Sequence, residues 1–317
     1  MPSTPVPTAW RVAVGTARGA AHEERHLPNQ DSVKFQPAGP AGGVVAAVAD
    51  GHGASRHFRS LTGSMLAVRA ACAVVEELAA DAAEPWTAES AGVLRDQLPS
   101  AIVGRWRELV AQHRAGHPYS AAELSGLEAV SNGPDIPYGS TLLVAVITAG
   151  WLICAQIGDG DMLAVRPDGT GWTPVDGDDR LDGLHTTSLC QRAAVSYFRT
   201  AAYDLRTEAL LALLLGTDGY GNAQVTHPWQ PAVAREVAGL ATRGHDWFDR
   251  QVPVWAERCA SAHGSGDDTT IALLLAPDSL PLAAAAGPAI EPDATEVTDD
   301  IAAAKPARPR RHRWFRR

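Results

Sequence analysis

This sequence predicts an α+β fold whose strands are mainly antiparallel, on three observations. First, the short apolar runs VVAAVA at 44–49, WLICAQI at 151–157, ALLALLL at 209–215 and TTIALLLA at 269–276 each lie at or next to an Asp and a Gly. Continuous apolar runs of this length, bounded by turn residues, read as strands buried on both faces. Second, Leu142–Thr148 and Trp151–Ile157 flank Ala149-Gly150 as the arms of a β-hairpin. Third, longer stretches carry apolar residues at helical spacing, among them Leu61, Met65, Val68, Ala71, Val75 and Leu78 within 60–82.

Taken in order, Trp10–Gly15 is a first strand, and 16–28 a polar loop leading to Asn29-Gln30-Asp31-Ser32. Ser32–Phe35 is extended, and the Pro/Gly cluster at 37–43 turns the chain into the 44–49 strand. Helices are predicted over 60–82, stopped by Pro85, and over 90–113, where Pro99 predicts a kink or break. Residues 114–138 read as a loop with one helical turn at 121–130, followed by the hairpin and a strand at 162–166. Residues 175–205 read as polar and irregular, with Asp176, Asp178, Asp179 and Asp182 on a solvated flap. Helices at 232–242 and 246–261 follow, the second carrying Pro253, and 269–276 closes the body. The expected domain spans 1–280. Residues 281–317 are expected to form a disordered tail, first Ala/Pro-rich and acidic, then basic in RPRRHRWFRR.

At 317 residues and 45% apolar content the chain can bury a full core. A net charge of −9 argues against general nucleic-acid binding by the core, while the basic aromatic end suits an anionic surface. The four cysteines are scattered without a CxxC pair and read as buried apolar groups in a reducing compartment. With no signal-peptide pattern in MPSTPVPTAWRVAV and no apolar run near the ~20 residues of a membrane span, a cytoplasmic location is predicted.

The chemistry lies in the acids. Asp50, Asp159, Asp218 and Asp267 each touch a glycine at the end of a buried run, and antiparallel pairing can bring all four to one edge. Carboxylates gathered in a cleft cannot all stay ionised unless a cation neutralises them. An all-oxygen set selects a hard ion such as Mg²⁺ or Mn²⁺ over zinc. His22-Glu23-Glu24-Arg25-His26 matches the zinc-protease pattern H-E-x-x-H, which needs both histidines on one stable helix. Gly15 and Gly19 before it and Pro28 after it argue against such a helix.

NQDS at 29–32, ADGHG at 49–53, GST at 139–141, IGDGD at 157–161, GTDGY at 216–220 and GDDTT at 266–270 occur in the order and spacing of the type 2C protein phosphatases. Over about residues 8–277 the chain resembles these metal-dependent serine/threonine phosphatases. His22 with 28–31, and 186–190 before Tyr197-Phe198-Arg199, resemble a bacterial branch. The resemblance implies a four-layer α/β/β/α sandwich, two antiparallel sheets flanked by helices. It implies two or three Mn²⁺ or Mg²⁺ ions on Asp50, the Gly51 carbonyl, Asp218, Asp267 and Asp159, with Asp31 ordering water and His52 as general acid. Asp268 stands beside the ligands where the family usually has Asn.

Three positions depart from the family pattern. Gln30 replaces a frequent Glu. His26 stands where the phosphate-binding Arg falls, leaving Arg25 or Arg18 to substitute. IGDGD replaces Gly-Asp-Ser-Arg, so that corner lacks an arginine. The expected activity is hydrolysis of phosphoserine and phosphothreonine in phosphorylated proteins, through a metal-bridging hydroxide, opposite a Ser/Thr kinase sharing those substrates. The alternative is a near-inactive regulatory or phosphopeptide-binding module on the same fold.

Overall fold

The inner strands of this chain are mostly apolar because both of their faces are covered. The computed structural model describes residues 9–38, 43–80, 86–123, 133–148, 150–181 and 186–277. One sheet runs β2 (Ser32–Ala38), β3 (Gly43–Ala49), β4 (Leu142–Ile147), β5 (Trp151–Ile157), β8 (Arg199–Asp204). The other runs β1 (Arg11–Ala17), β10 (Thr269–Leu275), β9 (Ala212–Gly216), β6 (Asp161–Val165), β7 (Gly171–Trp172). Every pairing is antiparallel, including the predicted β4–β5 hairpin, where Leu142 faces Ile157.

Alternation along each strand sorts its side chains into different cores. Val44, Ala46 and Val48 of β3 meet Leu213, Leu215, Ala272 and Leu274 of the other sheet. Val45, Ala47 and Ala49 point the opposite way, onto α2 (Ser60–Ala80) and α3 (Ala88–Gly116). Leu214, Ile271 and Leu273 pack outward on α6 (Gln230–Leu240) and α7 (His245–Ala260). The layers are therefore helix, sheet, sheet, helix, as the resemblance implies. The side chain of fully buried Trp106 on α3 donates Nε1–H to the Gly63 carbonyl of α2 at 3.0 Å. Gly63 in turn lies so close to the Tyr138 carbonyl that a Cβ has no room.

Four expectations are corrected. The polar loop at 16–28 contains a short helix, α1 (Ala20–Glu24), whose N-terminus docks on the 266–268 turn through Ala21 N–H to Gly266 O at 2.9 Å. Pro99 and Pro253 break neither α3 nor α7, because buried residues on both sides (Leu98 and Ile102; Val252 and Ala256) hold the helices in place. The irregular 175–205 region holds α4 (Ala194–Tyr197) and β8, a half-buried edge strand without strong apolar patterning. On the flap, Asp178 is not solvated. Its side chain is 2% exposed and paired with Arg180 at 2.6 Å. Asp182, most of the 121–130 turn and the 281–317 tail lie outside the described residues.

Truncating Trp106 to Ala removes the largest side chain between α2 and α3 together with its Nε1–H bond to the Gly63 carbonyl. A loss of about 3–5 kcal/mol is expected, measurable by urea denaturation.

Candidate metal centre

Strand ends carry the acids to one edge of the two sheets. Asp50 follows β3, Asp159 follows β5, and Asp161 opens β6. Asp218 opens the short helix α5 (Asp218–Asn222) after β9, Asp267 precedes β10 and Asp31 precedes β2. Burial, then the charges of Asp31, Asp218, Asp267 and Asp159, push the Asp50 carboxyl well above the usual carboxylate range. Asp218 also bonds to Asp50, and burial with Asp159, Asp267 and Asp161 raises it to about 7. Burial and Asp159 raise Asp161 to about 7. Asp267 is raised as well, chiefly by burial. The four acids singled out in the sequence thus share one electrostatic site.

Backbone bonds fix Asp50 and its neighbours. Thr141 accepts Asp50 N–H on Oγ1 at 3.0 Å and returns its own N–H to the Asp50 carbonyl at 2.9 Å. Gly51 N–H reaches Gln30 O at 3.2 Å, and His52 N–H reaches Gly139 O at 3.1 Å. A Cβ at Gly51 would collide with the Gln30 and Ser60 carbonyls, so only glycine fits. The Gly51 carbonyl itself accepts no hydrogen bond among the described residues. The GST segment is therefore the brace behind the ADGHG turn.

Asp31 is 7% exposed and accepts from Thr217 Oγ1 on Oδ2 at 2.8 Å. Its Oδ1 is buried with no protein partner, and burial raises its proton affinity well above normal. Asp268, buried at 3%, is the most heavily bonded acid of the site. Its oxygens accept from Gly19 N–H at 2.7 Å, Gln30 N–H at 2.6 Å and His22 Nδ1 at 2.8 Å. That hub ties α1, the NQDS segment and the GDDTT turn together.

The histidines divide. His22 Nδ1 bonds Asp268, and α1 ends at Glu24, so His22 and His26 do not share a helical turn as H-E-x-x-H chemistry requires. His26 has φ 57°, closing the turn after α1, and is exposed. Arg18 bonds Glu23 and Leu27 O at 3.5 Å each, whereas exposed Arg25 lowers the proton affinity of Asp267 and so stands beside the cluster. His52 is T-stacked on His57 at 4.9 Å. Burial, His57 and Arg56 hold its imidazole neutral, down to about 3. At the IGDGD corner, Arg199 of β8 donates Nη2–H to Gly158 O at 2.5 Å.

Sequence reasoning placed Asp268 beside the ligands but missed its bond to His22, and it gave Asp161 and Arg199 no role of their own. Asp161 had a signal, its Asp-x-Asp spacing at a strand start. The other two depend on partners distant in sequence.

The donor set is all oxygen, crowded and short of positive charge, and includes an orphaned carboxylate oxygen and an idle carbonyl. It fits a hard divalent cation. Among the described residues, no three His, Cys, Asp or Glu side chains are arranged to hold an ion by themselves. Carbonyl and water oxygens must complete the shell, as Mg²⁺ and Mn²⁺ tolerate.

The sequence profile of the protein phosphatase 2C family matches residues 18–251. No curated protein sequence matches the chain. Among solved structures, the serine/threonine phosphatase Stp1 from Staphylococcus aureus superposes with a TM-score of 0.54 at 15% identity, covering 87% of this chain and 98% of its own. PppA, a key regulatory component of T6SS in Pseudomonas aeruginosa, gives 0.54 at 19%, covering 86% and 100%. The catalytic domain of the phosphatase PstP, in complex with two manganese ions, gives 0.51 at 18%, covering 85% and 99%. At these identities the likeness is one of fold.

Carboxyls with raised folded-state pKa values bind protons that the unfolded chain has already released. Stability of the metal-free protein should therefore fall as pH rises from about 4, the ordinary carboxylate value, through about 7. Thermal unfolding in EDTA across that range checks the sign. Added Mg²⁺ should stabilise most at the alkaline end.

Proposed function

The chain belongs to the protein phosphatase 2C family, and on that footing we propose that it is a Mn²⁺- or Mg²⁺-dependent phosphatase acting on phosphoserine and phosphothreonine in proteins. The observation that carries this reading is the mutual charge repulsion of Asp50, Asp218, Asp267 and Asp159 at one sheet edge. Asp50, the Gly51 carbonyl, Asp218 and Asp267 would hold two ions, with Asp159 toward a third. When bound, such ions supply Lewis acidity for a water nucleophile and neutralise phosphate charge.

The remaining work falls to side chains. Asp31, with its free buried Oδ1, orients and accepts a proton from water entering the site. Arg25, exposed beside Asp267, meets the incoming phosphate, with His26 on the same turn. His52 is the candidate donor to the leaving alkoxide. Its proton affinity is low in the free protein, so this role requires the phosphate dianion to raise it. No thiol is suited to a covalent route, since burial raises the proton affinity of Cys72, Cys154, Cys190 and Cys259.

A cytoplasmic location, a partner kinase and an anionic contact for the basic tail belong to the same proposal. The described residues include no helix long and apolar enough to cross a membrane.

Turnover of p-nitrophenyl phosphate and of a phosphothreonine peptide should require Mn²⁺ or Mg²⁺ and vanish in EDTA. Asp50→Asn and Asp218→Asn should each lower kcat at least about a hundredfold while keeping the fold by circular dichroism. Arg25→Ala should mainly raise KM. A folded wild type inactive with either metal would instead support the regulatory, phosphopeptide-binding alternative.

A further inference from the structure

The buried His22–Asp268 pair has one face that the scaffold does not use. Nδ1 of His22 is committed to Asp268 Oδ2 at 2.8 Å, and the His22 side chain is 9% exposed. Its Nε2 has no hydrogen-bond partner among the described residues. That nitrogen points over Gly53, where a Cβ would stand 3.8 Å from it and 3.8 Å from Gln30 Oε1. Gln30 Oε1 is itself buried and without a partner. Both atoms thus lie within reach of one point above a glycine three residues after Asp50. A buried acceptor such as Gln30 Oε1 is costly unless something bonds to it.

The charges around the pair show what fits. His22 is acted on by Asp268, Asp267 and Arg25, and Asp267 in turn feels His22 and Arg25. The imidazole and guanidinium supply the positive charge at this rim of the acid cluster. An anion with several acceptor oxygens matches such a rim, and an uncharged solute would leave Nε2 without a charge-assisted bond. The Gln30 amide can turn its NH₂ toward the same anion, since the O and N of an amide are placed by their partners.

We propose that His22, anchored by Asp268, is a phosphate-binding residue whose Nε2–H meets the substrate phosphoryl oxygens above Gly53, where the chain has no arginine five residues before Asp31. This rests on the phosphatase reading and assigns part of its substrate site. The hydrogen bond to Asp268 raises the proton affinity of His22, which favours the form with both Nδ1–H and Nε2–H as donors. Asp268 is then a positioning residue: it orients the ring and does not touch phosphate.

The test compares full-length wild type, His22→Asn and Gly53→Ala. Asn reproduces the Nδ1 donor to Asp268 but lacks Nε2. Ala at Gly53 places a methyl in ordinary contact with both polar atoms, within the proposed seat, and asks no strain of the backbone. Binding of inorganic phosphate to the Mg²⁺-loaded protein is read by calorimetry. KM and kcat for p-nitrophenyl phosphate are read with Mn²⁺, and thermal midpoints confirm folding. Both variants should bind phosphate about tenfold more weakly and raise KM by a similar factor, with kcat within about twofold. Unchanged phosphate affinity and KM in the variants, or no phosphate binding by wild type, would overturn the assignment. Should His22→Asn not fold, Gly53→Ala decides alone. A wild type that binds phosphate but hydrolyses nothing would sink the phosphatase reading, while the phosphate affinities of the variants would still decide the role of His22.

Discussion

Repulsion among carboxylates is the constraint on which the rest of this structure depends. Asp50, Asp218, Asp161 and Asp31 are forced toward the protonated state by burial and by one another. A fold gains nothing in stability from such an arrangement. It must be held by interactions elsewhere, and here two closely packed five-stranded sheets with helices on both outer faces do so. The acids sit at strand ends, where rigid elements fix the backbone while side chains remain free to meet a ligand.

Bracing of the acids comes from groups that carry no net charge. Thr141 clasps Asp50 from both its backbone sides, and Thr217 links Asp31 to β10 through its hydroxyl, accepting Thr270 N–H at 2.9 Å. Gly51, Gly19 and Gly219 permit backbone approaches that any Cβ would block. Asp268 is the exception, a buried carboxyl group whose oxygens are satisfied by two backbone N–H groups and an imidazole. The Asp50 turn is therefore held by backbone and threonine hydrogen bonds made by groups that do not titrate.

Much of this was legible in the sequence because the signals are local. A carboxylate beside a glycine at the end of an apolar run marks a strand edge, and Asp50, Asp159, Asp218 and Asp267 all announce themselves this way. The sandwich needed the ordered motifs as well, since apolar runs alone do not say which face meets which sheet. What escaped was set by tertiary contact. α1 is too short for periodicity to show, and β8 is a half-buried edge. His22 and Asp268 are 246 positions apart, and Arg199 fills a corner 41 residues from its own place in the chain. Pro99 and Pro253 obeyed packing over propensity.

The central claim is that these carboxylates exist to hold divalent cations. Anomalous diffraction from crystals of the full chain grown with Mn²⁺ tests it most directly. The account predicts manganese at this edge, where Asp50, the Gly51 carbonyl, Asp218 and Asp267 would hold it. Manganese absent from this edge at saturating concentration, or bound elsewhere on the domain, would contradict it.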